Sequence, residues 1–596
     1  MLLNYIDWTI IIVFFIIILL IGVIASKKVE KTSAGFFLSG RSMPFWLLGI
    51  SMVATTFSTD TPNLVTDLVR NYGVSGNWLW WAFLLTGMLT VFVYTKLWRR
   101  SNVLTDVEFY EIRYSGNSAA FLRGFRAVYL GFFFNIVIMA SVSLAAIKIG
   151  SVLLNLSPVA TISVALLITV IYAGLGGLRS VLFTDLFLFS FAMFGAVAAA
   201  VVAVNLPEVG GLSGLFSHPN VAGKLNLLPD FNDPKTLIPV FLIPIAVQWW
   251  SVWYPGAEPG GGGYLVQRML SAKNERHAMG ATLFFNIAHY ALRPWPWILV
   301  ALASMIIFPD LASLQAKFPY IDPNILKDDL AYPAMLTFLP VGVMGIVVAS
   351  LIAAYMSTMA SQLNWGSSYL VNDFYKRFLK PEATDKELVR AGRISTVVLM
   401  LVAGTLALFL QNALQAFHIL LQIGAGTGLI FILRWFWWRI NAFTELSGMI
   451  ISFFVAIYFE MIHPKLNLLP MESHERLIVG VLLTTAGWLI VTFLTKPTDN
   501  ETLVKFYKLI RPGGRGWDKV IQLSKSTDSP ITETAKKGDL ALGLILMIAG
   551  TFAVYGAVFA SGFYLYGEYT SGAISTVVTA VSVWVMIKNW GKIEMD

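Results

Sequence analysis

Residues 45–70, FWLLGISMVATTFSTDTPNLVTDLVR, decide how this chain is to be read. The stretch begins as an apolar helix and runs into Ala54–Pro62, where five hydroxyl residues and Asp60 crowd two turns. It then recovers its apolar character. Pro62 removes a backbone donor and clashes with the turn before it. Inside a bilayer, freed backbone and a carboxylate persist only where they line a protein cavity or a watered site. The pattern predicts a helix interrupted for a purpose.

The surrounding 596 residues are 57% hydrophobic and 13% charged, with a mean hydropathy of +0.71. A soluble domain carries about 25% charged residues, so the composition excludes that class and points to an all-α polytopic membrane protein in contact with the lipid bilayer. Roughly fifteen apolar runs approach the ~20 residues that cross hydrocarbon: 5–25, 47–70, 77–97, 124–152, 158–178, 181–205, 238–257, 279–308, 338–373, 392–411, 413–436, 443–463, 476–496, 539–560 and 569–589. The first run lacks a basic leader and a small-residue cleavage site, which marks a retained span. With the N-terminus outside, every inside loop is basic, from SKKVEK through QRMLSAKNERH to the long 497–537 segment. That alternation is the one positive charge imposes on membrane topology, and it leaves the C-terminus cytoplasmic. The formal charge of +8 is then a property of loops, and no nucleic-acid partner is expected. Cysteine is absent, which removes disulfides and thiolate metal sites.

The seventh span, FLIPIAVQWWSVWYPGAEPGGGGYLVQR, is interrupted too, by Pro255, Glu258, Pro259 and Gly260–Gly263. Two broken spans in corresponding positions of two halves point to a transporter built from inverted repeats. The ninth span supplies hydroxyls: Ser357 and Ser361 share a helical face by their four-residue spacing, with Thr358 about 100° round from Ser357. Unwound carbonyls together with such hydroxyls suit a hard cation such as sodium. Small and hydroxyl residues also serve to pack membrane helices closely.

Several ordered motifs resemble the sodium:solute symporter family. IYAGLGGLRSVLFTDLFLF (171–189) resembles the family's Gly-Gly…Thr-Asp signature. LTDVEFYEIRY (104–114) is similar to its Pro-Glu-Phe…Arg-Tyr stretch, with Val107 where proline is usual, and QRMLSAKNERHA (267–278) is similar to its Gln-Arg motif. The resemblance extends to about residue 496. It implies a LeuT-type 5+5 inverted-repeat core with an extra N-terminal span, additional C-terminal spans and about 15 transmembrane helices. The expected division is 1–44 for the extra span and its loop, 45–205 for the first repeat, 206–237 for an extracellular loop and 238–440 for the second repeat. Two peripheral spans (441–496), a cytoplasmic linker (497–537) and a two-span appendix (538–596) follow.

Carried over by motif, the resemblance implies a main sodium site from the carbonyls of Ala54, Phe57 and Ala354 and the hydroxyls of Ser357 and Thr358. A second sodium would use Asp185, Ser357 and Ser361, but the further serine of two-sodium members is Ala360 here. Thr56 and Thr61 stand where sugar carriers place Asn and Gln. His289 stands at the sugar carriers' intramembrane lysine, and Phe417 at a glutamine, with Gln422 nearby. With Asp60, Glu258 and Arg293, which need partners or water at this depth, these form the candidate substrate set. The expected function is sodium-coupled uptake of a small polar solute, a sugar by family default, across the cell membrane. Alternatives are a proton- or sodium-coupled carrier of a carboxylate-bearing solute, and a non-transporting sensor of ligand and sodium. An intramembrane enzyme lacks support: there is no nucleophile motif and no paired-histidine metal signature.

Overall fold

A computed structural model describes residues 3–27, 33–173, 177–250, 258–321, 326–410, 413–466, 470–527, 530–536 and 538–595. Among these, ten helices are long and apolar enough to cross a membrane, and five shorter apolar helices accompany them. Each falls on one of the expected spans. The helices that build the membrane body are α1 (Tyr5–Ser26), α2 (Phe45–Thr56), α3 (Asp60–Tyr72), α4 (Asn135–Leu154), α5 (Pro158–Ala173), α6 (Gly177–Val204), α7 (Gly263–Leu270) and α8 (Glu275–Ile287). They continue with α9 (Pro294–Ile307), α10 (Val343–Ser368), α11 (Asp385–Ala407), α12 (Ala413–Phe436), α13 (Ala442–Ile457), α14 (Ser473–Leu494), α15 (Asp539–Tyr566) and α16 (Tyr569–Trp590). The architecture is an all-α LeuT-type core with an added first span and added C-terminal spans.

Both interruptions lie where the sequence places them. Between α2 and α3 the chain leaves helical geometry at Phe57 (φ −93°, ψ 89°) and resumes at Asp60. Pro62 sits in the first turn of α3, where a missing N–H leaves no bond unmade. At the second interruption, residues 258–262 are non-helical ahead of α7, which begins at Gly263; Pro255 and the rest of 251–257 lie outside the described residues. Its glycines are required by conformation: Gly260 and Gly261 have φ of 84° and 88°, and a Cβ on Gly260 would stand 3.1 Å from the Tyr94 ring.

Helix α2 is the axis of the core, packed against α6, α8 and α10. Helix α1 packs against α10 and is hydrogen-bonded to its start through the Asp7 carboxylate. Buried Asp7 closes its own capping box and accepts the N–H groups of Gly342 and Gly345 at 2.7 and 2.8 Å. Asp7 thereby satisfies donors at the start of α10 that have no partner within the helix. Segment 497–537 is more than a tether. It forms helices Asn500–Ile510 and Asp518–Ser524, and Trp517 Nε1 donates to the Trp435 carbonyl at 2.8 Å.

Candidate functional site

The broken end of α2 leaves carbonyls without helical successors, and side chains of α10 meet them. Thr358 Oγ1 donates to the Thr55 carbonyl at 2.8 Å. One residue back, Ser357 Oγ donates to Asp185 Oδ1 at 2.7 Å. Helix α6 thus brings its aspartate to the hydroxyl stripe of α10. The other oxygen of Asp185 accepts from Ser51 Oγ at 2.5 Å. Ser361 Oγ lies 2.8 Å from Thr55 Oγ1. Ala54, Phe57 and Ala354 are buried; Ala54 and Phe57 lie at the end of α2, and Ala354 lies on α10 about one turn before Thr358.

A residue of the basic inside-loop motif QRMLSAKNERH stands at the centre of the seam between α2 and α10. Arg268, on the last turn of α7, is fully buried. Its Nε donates to Ser51 Oγ at 3.2 Å and its Nη2 to Ser361 Oγ at 2.7 Å. Nη2 is 3.9 Å from Asp185 Oδ2. The available signal was the spacing of Ser51 and Thr55, four residues apart on α2, together with a Gln-Arg pair at the end of a broken span.

A second group forms about 100° round α2 from Thr55. Thr56 Oγ1 donates to the Val53 carbonyl at 2.9 Å, lies 3.0 Å from His289 Nδ1 and accepts from Arg293 Nη1 at 3.2 Å. Arg293 Nη2 is 3.1 Å from His289 Nε2. Arginine only donates, so Nε2 accepts and the imidazole proton belongs on Nδ1, facing Thr56. The guanidinium also lies over the Trp297 ring at 5.4 Å, and it forms no ion pair among the described residues. Trp80 stacks on Tyr290 at 5.6 Å and meets His289 edge-on at 5.6 Å. Trp80 is therefore an interior residue, packed against His289 and Tyr290. Thr61 and Asp60 are partly exposed at the break; Asp60 accepts from Ser58 Oγ and lies within electrostatic reach of Arg293. Asn63, absent from the sequence-derived set, is buried on the first turn of α3, and its amide has no hydrogen-bond partner among the described residues.

Glu258 does not join this group. It is paired with Arg126 at 2.5 Å, and Arg126 lies over Phe431 at 4.9 Å. Arg434 also lies over that ring at 4.9 Å and donates to Tyr110 Oη at 3.0 Å. Nearby, Asp106 accepts the Gly263 N–H at 2.8 Å and the Tyr369 hydroxyl. Burial pushes the Asp106 carboxyl above its usual range, opposed by the Tyr369 hydrogen bond. The side chain of Gln422 lies outside the described residues.

The profile of the sodium:solute symporter family matches residues 36–452. A sodium/glucose cotransporter of Vibrio parahaemolyticus is similar at 25% identity over 516 residues, covering 84% of this chain and 92% of that protein. Sodium/myo-inositol cotransporter 2 of Mus musculus is similar at 26% identity over 488 residues, covering 76% and 69%. Among solved structures, the substrate-bound outward-open state of a Na+-coupled sialic acid symporter superposes with a TM-score of 0.65 at 20% identity. That match covers 83% of this chain and 99% of the other.

Proposed function

The chain belongs to the sodium:solute symporter family, and from that membership we propose that it imports a small polar solute together with sodium by alternating access. The observation that carries the reading is the seam of α2 and α10, where the break in α2 is bridged by Thr358 and flanked by Ser357. Sodium takes the carbonyls of Ala54, Phe57 and Ala354 and the hydroxyls of Ser357 and Thr358. Bound there, it pins the broken helix to α10; its departure inward frees the break and allows the solute to leave. The repeats 45–205 and 238–440 rock against one another about that seam. A potential of 100 mV supplies ~2.3 kcal/mol per charge and a tenfold gradient ~1.4 kcal/mol. One sodium then supports an accumulation of a few hundred-fold for a neutral solute.

We assign one sodium per cycle. Asp185 and Ser361, the remaining ligands of a second site, already face the Arg268 guanidinium. A fixed cation at that distance repels another. Thr56, Asp60, Thr61, His289 and Arg293 form the solute wall, and Glu258 serves the Arg126 cluster instead. The relatives named for glucose and myo-inositol support a polyol or sugar. Arg293, without a carboxylate partner among the described residues, favours a second reading in which the solute bears a carboxylate.

The test is uptake into liposomes under an imposed inward sodium gradient, with hexoses, inositols and sugar acids as labelled solutes. Sodium-dependent accumulation with a Hill coefficient near one is expected, and its loss in the Ser357→Ala, Thr358→Ala double variant. Uptake in the double variant that is undiminished and indifferent to sodium would refute the coupling site. Binding of solute and sodium without flux would identify a sensor.

A further inference from the structure

Outside the transport seam, three helix ends meet at one level: Phe45 opens α2, Arg276 lies in the first turn of α8, and Trp590 closes α16. Between them runs a groove of about 450 Å³ lined by these residues with His277, Phe284 and Ile287. Its walls are apolar, and Arg276 and His277 are the basic side chains that line it. Arg276 is exposed and forms no ion pair among the described residues, because the adjacent acid, Glu275, turns inward to Arg100 at 3.0 Å. His277 Nδ1 accepts the Phe45 N–H at 3.1 Å, which leaves Nε2 as the ring's donor. The eleven-residue step from Arg276 to Ile287 along α8 is about 17 Å at 1.5 Å per residue. One leaflet of hydrocarbon is about 15 Å deep. The groove therefore has cationic chemistry at interface height and an apolar floor one leaflet long, at the face expected to be cytoplasmic.

We propose that this groove binds one anionic phospholipid, its phosphate on Arg276 and His277 Nε2 and an acyl chain along Phe284 to Ile287. Basic pockets between membrane helices bind anionic headgroups in this way. The lipid bridges the core to the last span, since Trp590 comes from beyond the family-matched region. The test uses the purified full chain in non-ionic detergent with added phosphatidylglycerol or phosphatidylcholine, read by thermal midpoint and by native mass spectrometry. Phosphatidylglycerol is expected to raise the midpoint more than phosphatidylcholine and to persist as one bound copy. Arg276→Gln should weaken its retention about five-fold, the equivalent of one lost basic contact at a membrane surface. Gly280→Leu should do likewise by filling the groove, since a Cβ there stands 3.4 Å from Phe45. Both variants should match the parent's midpoint without lipid, which separates lost binding from misfolding. Equal effects of the two lipids, or phosphatidylglycerol retained unchanged by both variants, would overturn the assignment.

Discussion

Thr358 and Arg293 show how single side chains divide the labour around α2. Thr358 Oγ1 reaches the carbonyl of Thr55, so its loss removes a tie across the seam and, on the proposed function, a sodium ligand. Thr358→Ala is expected to raise the sodium concentration for half-maximal uptake about tenfold, ~1.4 kcal/mol, with little change in solute affinity at saturating sodium. Arg293 meets Thr56 and His289 with two different nitrogens, a fork that lysine does not reproduce. Arg293→Lys should therefore raise KM for the solute while leaving the sodium requirement unchanged. A KM identical to the parent's would remove Arg293 from the solute wall. Arg268 has another role. Resemblance pointed to its motif, yet nothing in the linear order connects residue 268 with Ser51 or Ser361. Such a contact needs three helices to converge.

At the scale of elements, the two breaks are of different kinds. The first is polar and is stitched by its own hydroxyls, Thr56 to Val53 among them. The second depends on glycine: Gly260 holds a left-handed φ against the Tyr94 ring. Gly260→Ala should cost about 1–3 kcal/mol from backbone strain, read as a lower thermal midpoint in detergent. Glu258, next to this turn, is buried against Arg126. Removing one partner of a buried pair strands the other charge, at a cost of ~3–5 kcal/mol. Glu258→Gln is thus expected to lower stability more than Gly260→Ala. A variant as stable as the parent would show that the Arg126 cluster is hydrated or mobile. Both breaks were legible beforehand, because proline, glycine and hydroxyl clusters stand out within apolar runs. The partner of Glu258 was not, because Arg126 lies more than one hundred residues away on another span.

In the whole molecule, the C-terminal appendix is part of the body. Helix α15 lies along the third span and the start of α9: Tyr555 Oη donates to the Trp81 carbonyl at 2.8 Å, Trp295 Nε1 donates to the Val558 carbonyl at 3.2 Å, and Lys96 pairs with Asp539. Trp81 adjoins Trp80, which meets His289 edge-on. Tyr555→Phe should cost about 1 kcal/mol, the worth of one net hydrogen bond, seen as a small fall in midpoint. Deletion of 538–596 should destabilise the core itself; a truncated chain with the parent's midpoint would show the appendix to be merely tethered. Class, spans and the broken helices are determined by the sequence alone, because hydrocarbon forces each crossing to declare itself by length and apolarity and each interruption by its residues. The contacts that turn those breaks into a site were decided only by tertiary packing. Whether Ser361 meets an ion or Arg268, and whether Glu258 meets a solute or Arg126, depends on which helices converge on α2. Local pattern carries no record of distances between residues remote in the chain.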